Sequence, residues 1–328
     1  MTDIPLTAPR PRRLTWRRVV VAALVLSLVG VPLGGVAVAT DTLGAGDLFE
    51  RAVARIDRIL AGPVPDRPAP ATIIIETPDE TDEPEPTATP IPSPSATPVA
   101  GASQIPTPIP APTATPVPTP ARVPVDLDIV TDHEAVFAHE LKVTWCAPAG
   151  VQMTLAVLGL ADTSNAFQRE LQSRVHEWES LTDSRDGLWG PSAMALALED
   201  YGALGYEVRG YKTRQGALRD AAKAIMKTGS PVILLAWRGA HTWVMTGFRA
   251  DADPAVFSNA RINGAYVLDP WYPDVSSIWG ASDPPGTYQN NAEMERNYLP
   301  WKRPEGKYPE RDGLFISVVP TVKVGAAR

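Results

Sequence analysis

Cysteine is almost missing from this 328-residue chain, and Cys146 is the only one. A lone thiol excludes an internal disulfide framework and any metal site built from paired cysteines. The four histidines, His133, His139, His176 and His241, show no Cys/His set with zinc spacing, so neither a metal nor another cofactor is expected. A Gly-rich phosphate loop is also lacking. Basic residues number 30 against 37 acidic ones, for a formal net charge of −7. With no basic stripe in the folded part, nucleic acid is excluded as a partner.

Charge is absent again from Val19 to Ala39, an apolar run preceded by Arg10, Arg12, Arg13, Arg17 and Arg18. Arginines ahead of about 20 apolar residues form an export signal that keeps its own end in the cytoplasm. Residues 1–39 are therefore expected to be a signal peptide or a signal-anchor transmembrane segment. Ala37-Val38-Ala39 fits a small-residue cleavage site, and both outcomes stay open. The rest of the chain would be extracytoplasmic, either secreted or membrane-anchored through the uncleaved segment.

Proline is plentiful, with 35 in the chain and the densest stretch between 62 and 124, in units such as Thr107-Pro108-Ile109-Pro110. Such a segment favours extended polyproline II and reads as a disordered, semi-rigid linker that cannot form a core. Residues 40–61 carry a short amphipathic helical pattern from Leu48 to Leu60. Residues 125–328, about 200 in all, are enough for one domain with its own core.

Within that domain, helices are expected at Pro148 to Leu160, Thr163 to Ser180, Pro191 to Tyr201 and Ala217 to Lys227, the last stopped by Gly229. Strands are expected at Tyr206 to Tyr211, Pro231 to Trp237, Thr242 to Phe248, Ala265 to Leu268 and Leu314 to Val319. Helices followed by an antiparallel sheet make an α+β arrangement. The aromatic- and proline-rich stretch from Asp274 to Asp312 has two roles open, lining a substrate groove or pinning a long loop to the sheet.

Cys146 opens a helix, where unpaired amides and the positive end of the dipole favour the thiolate nucleophile. His241 stands at the mouth of an apolar strand just past a Gly-containing turn, a rigid mount suited to a general base. The next strand ends at Asp269, within reach of the imidazole if the strands pair, where a carboxylate orients the ring and stabilises its charged form. His133, His139 and His176 fall on polar segments and read as surface residues.

Three motifs in this order, Trp145-Cys146-x-Pro148-Ala149 with Gln152-Met153, Ala240-His241-x-Trp243-Val244-Met245-x-Gly247, and Val267-x-Asp269-Pro270, resemble the C-39-like family of papain-like cysteine peptidases. These are relatives of the peptidases that trim leader peptides after a double glycine. The resemblance covers about Phe137 to Pro320 and implies a papain-like fold, with N-terminal helices packed on an antiparallel sheet. It also implies Cys146 as nucleophile, His241 as base and Asp269 as orienting acid, acting on a peptide or protein substrate. Two positions depart from the family pattern: Ala147 replaces the usual Gly after the cysteine, and Glu140 stands where the oxyanion-hole glutamine is expected. A charged Glu140 would oppose an oxyanion, and loss of such a donor costs about 100- to 1,000-fold in rate. Three functions remain open: a cysteine peptidase or amide hydrolase, a non-catalytic peptide-binding module of the same fold, and an acyl transferase of transglutaminase-like type.

Overall fold

The computed structural model describes residues 69–75, 120–184, 187–302 and 308–324. The 1–39 and 40–61 segments lie outside these residues, as does most of 62–124. Among the described residues, no helix is long and apolar enough to cross a membrane.

The chain order is β1 (Ile73–Ile75), β2 (Val125–Asp128), α1 (His133–Val136), α2 (Cys146–Val157), α3 (Asn165–Ser173), α4 (Pro191–Asp200), β3 (Tyr206–Tyr211), α5 (Arg214–Thr228) and β4 (Val232–Leu235). There follow β5 (His241–Ala250), β6 (Ile262–Leu268), the small hairpin β7 (Val275–Ser276) and β8 (Gly280–Ala281), β9 (Thr287–Asn290), α6 (Asn291–Asn297) and β10 (Phe315–Pro320). The main sheet runs β1-β3-β10-β4-β5-β6-β9, with β2 also paired to β5. Its pairings are antiparallel except for the parallel edge pair β1–β3.

Strand alternation explains the layers, because successive side chains point to opposite faces. Ile233 and Leu235 of β4 join Val244, Leu268, Ile316 and Val318 beneath α2 and α4. Their neighbours Val232 and Leu234 join Trp243, Met245, Val267 and Val319 beneath α5 and α6. The arrangement is α+β, as expected, but helices cover both faces of the sheet.

Local signals fix the helix ends. Thr213 accepts from the Gly216 amide to cap α5, and Gly229 ends it in the left-handed region at φ 67°. Ser164 caps α3, which stops at Ser173 and passes into a 3-10 turn at Val175–Glu177, so the single helix expected over 163–180 is broken.

Two further differences stand out. Ile73–Ile75, inside the stretch expected to be a disordered linker, pair with Arg209–Tyr211 at the sheet edge. This segment is also held where the Ser192 hydroxyl donates to Pro70 O at 3.0 Å and Arg311 Nε donates to Thr72 Oγ1 at 3.3 Å. Three consecutive isoleucines have strong strand preference, which the surrounding proline content masks. In the Asp274 to Asp312 stretch, Tyr298, Trp301 and Tyr308 are buried and pin the segment to the core. Trp279 instead stacks on Trp237, with centroids 5.7 Å apart and planes 6° from parallel.

Candidate active site

Cys146 is the first residue of α2, and no side chain caps that helix end. The helix is buried along Ala147 to Leu155 and lies against the start of β5. Gly150 permits the close approach, because a Cβ there would run into Thr242 Cγ2. The half-buried thiol is thereby held over the strand that carries His241, with Sγ 4.0 Å from Ala240 O.

β4 stops at Leu235, short of the expected Trp237, because the chain enters a left-handed turn. Trp237 and Arg238 have φ of 50° and 63°, and Gly239 follows at 85°. Side chains rarely adopt this conformation, so surrounding contacts must impose it. Trp237 Nε1 donates to Asn297 Oδ1 at 3.2 Å, and the Lys302 amide donates to Arg238 O at 3.0 Å. The turn lays the Trp237 indole on the His241 ring, with centroids 3.9 Å apart.

β5 and β6 pair through Val244 and Leu268, which places Asp269 beside His241. His241 Nε2 lies 2.7 Å from Asp269 Oδ1 in a buried contact. An ionised carboxylate only accepts, so Nε2 carries the proton and Nδ1 of the neutral ring keeps a free lone pair. The Trp271 amide also donates to Asp269 Oδ1, at 2.9 Å, fixing the carboxylate.

Glu140 completes the group. Ligand atoms of Glu140, Cys146 and His241 all lie within 4.8 Å of one another. The Glu140 amide donates to Pro270 O at 2.9 Å, tying its segment to the end of β6. Two buried amides hold the other side. Gln168 Oε1 accepts from the Leu141 amide at 2.7 Å, and its Nε2 donates to His139 O at 3.0 Å and to Gln152 Oε1 at 3.1 Å. Gln152 Nε2 in turn donates to Asp162 O and Ser164 O.

The Glu140 side chain is only 3% exposed, and neither carboxyl oxygen has a hydrogen-bond partner among the described residues. Burial, with added repulsion from Asp269 and Asp274, pushes its pKa from 4.5 up to about 9. At neutral pH this side chain is a neutral acid that retains one O–H donor. The Cys146 thiol is also pushed up, from 9.0 to about 12, first by burial and then by Glu140; hydrogen bonds from Thr242 work in the opposite direction. Desolvation works against the thiolate that the helix terminus was expected to favour.

The structure thus brings together Cys146, His241, Asp269 and Glu140. The remaining histidines lie apart. His133 contacts Asp128 at 2.8 Å, His139 contacts Tyr272 O at 2.9 Å, and His176 is exposed. Sequence reasoning did not find the roles of Trp237, Thr242 and Gln168. For Gln168 a signal existed, since a polar residue one turn from Leu171 on the buried face of a helix needs internal partners. Sequence spacing also concealed a possible metal-ligand set, because Glu140, Cys146 and His241 meet only in space.

Residues 130–302 match the family model described as "Peptidase_C39 like family". No curated protein matches the chain. Among solved structures the chain is similar to a double glycine motif protease from an AMS/PCAT transporter, crystallised in complex with the leader peptide. The identity is 18%, the match covers 60% of this chain and 99% of that one, and the TM-score is 0.31.

Proposed function

The chain belongs to the C39-like peptidase family, and we propose that it is an extracytoplasmic cysteine peptidase, or closely related amide hydrolase, working through Cys146, His241 and Asp269. The observation that carries this reading is the buried 2.7 Å contact between His241 Nε2 and Asp269, which leaves Nδ1 as the ring's only base, in a ring grouped with the Cys146 thiol.

In the proposed reaction Nδ1 accepts the thiol proton as sulfur attacks a peptide carbonyl, so no resting thiolate is required. Asp269 stabilises the imidazolium that forms. The oxyanion meets the Cys146 backbone amide and the O–H of neutral Glu140, which replaces the amide donor usual at that position. The imidazolium protonates the leaving amine, and water activated by the same ring hydrolyses the thioester.

Export rests on the basic flank and the apolar run from Val19 to Ala39. In this reading the proline-rich segment spaces the domain from the membrane, with its Ile73–Ile75 portion bound to the domain edge. A peptide library incubated with the full chain and read by mass spectrometry tests the activity. Cleavage that disappears in Cys146→Ser and His241→Ala supports it. Peptides bound by the wild type but left uncut would support the binding module instead.

A further inference from the structure

Neither buried carboxyl oxygen of Glu140 has a hydrogen-bond partner among the described residues, and one of them lies within 4.8 Å of the Cys146 thiol and the His241 imidazole. A glutamine at this position would offer only a weakly ligating amide oxygen. A carboxylate supplies a third strong donor beside sulfur and nitrogen. We propose that Glu140, Cys146 and His241 form a three-ligand site for a thiophilic divalent cation of the Zn2+ type, whose occupancy withholds the thiol from reaction.

The donor set of one sulfur, one imidazole nitrogen and one carboxylate oxygen suits Zn2+, with a fourth position left for water. Bond lengths of about 2.0 to 2.3 Å imply donor separations of roughly 3.5 Å around a tetrahedral ion. The observed spread of up to 4.8 Å closes to that by small side-chain movements. Asp269 on Nε2 provides the outer carboxylate that orients a ligating histidine and leaves Nδ1 for the ion. Cys146 and Glu140 ligate as anions, and their protons pass to solvent.

The binding half of the proposal is independent of peptidase activity, while the inhibitory half rests on the function proposed above. Co2+ titration of the untagged full chain tests the first. Because Cys146 is the only cysteine, a near-ultraviolet thiolate-to-cobalt band at one ion per chain reports this site alone. The band is expected in the wild type and absent in Cys146→Ser. Binding should weaken at least about tenfold in Glu140→Gln, and by about 10- to 100-fold in Asp269→Asn, which alters only the outer partner. Zn2+ should abolish the band and block iodoacetamide labelling of Cys146, with chelator restoring the labelling.

No band in the folded wild type, or equal Co2+ affinity in Glu140→Gln, would overturn the site. Zn2+ binding that leaves cleavage of a known peptide intact would overturn the inhibitory half. A chain that binds Co2+ but cleaves nothing keeps the site and removes the hydrolase.

Discussion

The Trp237 indole lies on the His241 imidazole, with centroids 3.9 Å apart and planes 17° from parallel. The backbone reaches this stack through two left-handed non-glycine residues, each costing about 1–3 kcal/mol. The indole excludes water from one ring face and favours the imidazolium through its π-cloud.

Trp237→Ala is therefore expected to slow acylation of Cys146 at least about tenfold, because the imidazolium loses its π partner. It should also destabilise the fold by about 3 kcal/mol through lost packing. Trp237→Phe, which keeps an aromatic face, should recover most of the rate. Denaturant unfolding together with acylation kinetics separates the two effects.

Glu140 gives stability a pH dependence of defined sign. Its folded pKa, about 9, lies above its ordinary 4.5, so the native state holds a proton that the unfolded state releases. This contribution is complete below pH 4.5 and is lost as pH rises to about 9, by at most about 1.4 kcal/mol per pH unit. Glu140→Gln should flatten the profile and exceed the wild type in stability at pH 8. The wild-type rate should fall above about pH 9 as the donor ionises, while the Gln variant should not show that loss.

Gly150→Ala should push α2 away from β5, because the new methyl meets Thr242 Cγ2. Overpacking of this kind costs about 1–3 kcal/mol, partly offset by alanine's helix preference. The Cys146 acylation rate should drop at least about tenfold. Combining it with Thr242→Ser, which removes the obstructing methyl and keeps the hydroxyl, should restore the rate, and a double-mutant cycle measures the coupling.

Gln168→Leu should unfasten the Glu140 segment by removing the bonds to Leu141, His139 and Gln152. Unpaired buried groups cost about 1–3 kcal/mol. Acylation should slow, while iodoacetamide labelling of Cys146, which does not need the oxyanion donor, should change little.

Periodicity made most of the fold legible. The strand at Tyr206 and the helix at Pro191 lie within the expected stretches, and the strands at His241 and Phe315 and the helix at Arg214 overlap theirs with ends displaced by one to three residues, because each buries a regular apolar face. The site residues were legible by order, with a cysteine at a helix start, a histidine at a strand mouth and an acid at the next strand's end. The left-handed turn was not, since Trp237 and Arg238 are unusual there and are held by Asn297 and Lys302, distant in sequence. Ile73–Ile75 were hidden by proline-rich surroundings. The upward push on the Cys146 thiol was not legible, because the helix terminus is a local feature whereas desolvation depends on everything packed around it.

The central claim, that His241 serves as the base for a Cys146 nucleophile, is tested most directly by rapid mixing of the full chain with p-nitrophenyl acetate. A burst of p-nitrophenol is expected, with one acetyl group on Cys146 by intact mass and subsequent release of that group. Both steps should slow by about 100- to 10,000-fold in His241→Ala, with no adduct in Cys146→Ser. Equal acylation of wild type and His241→Ala would contradict it.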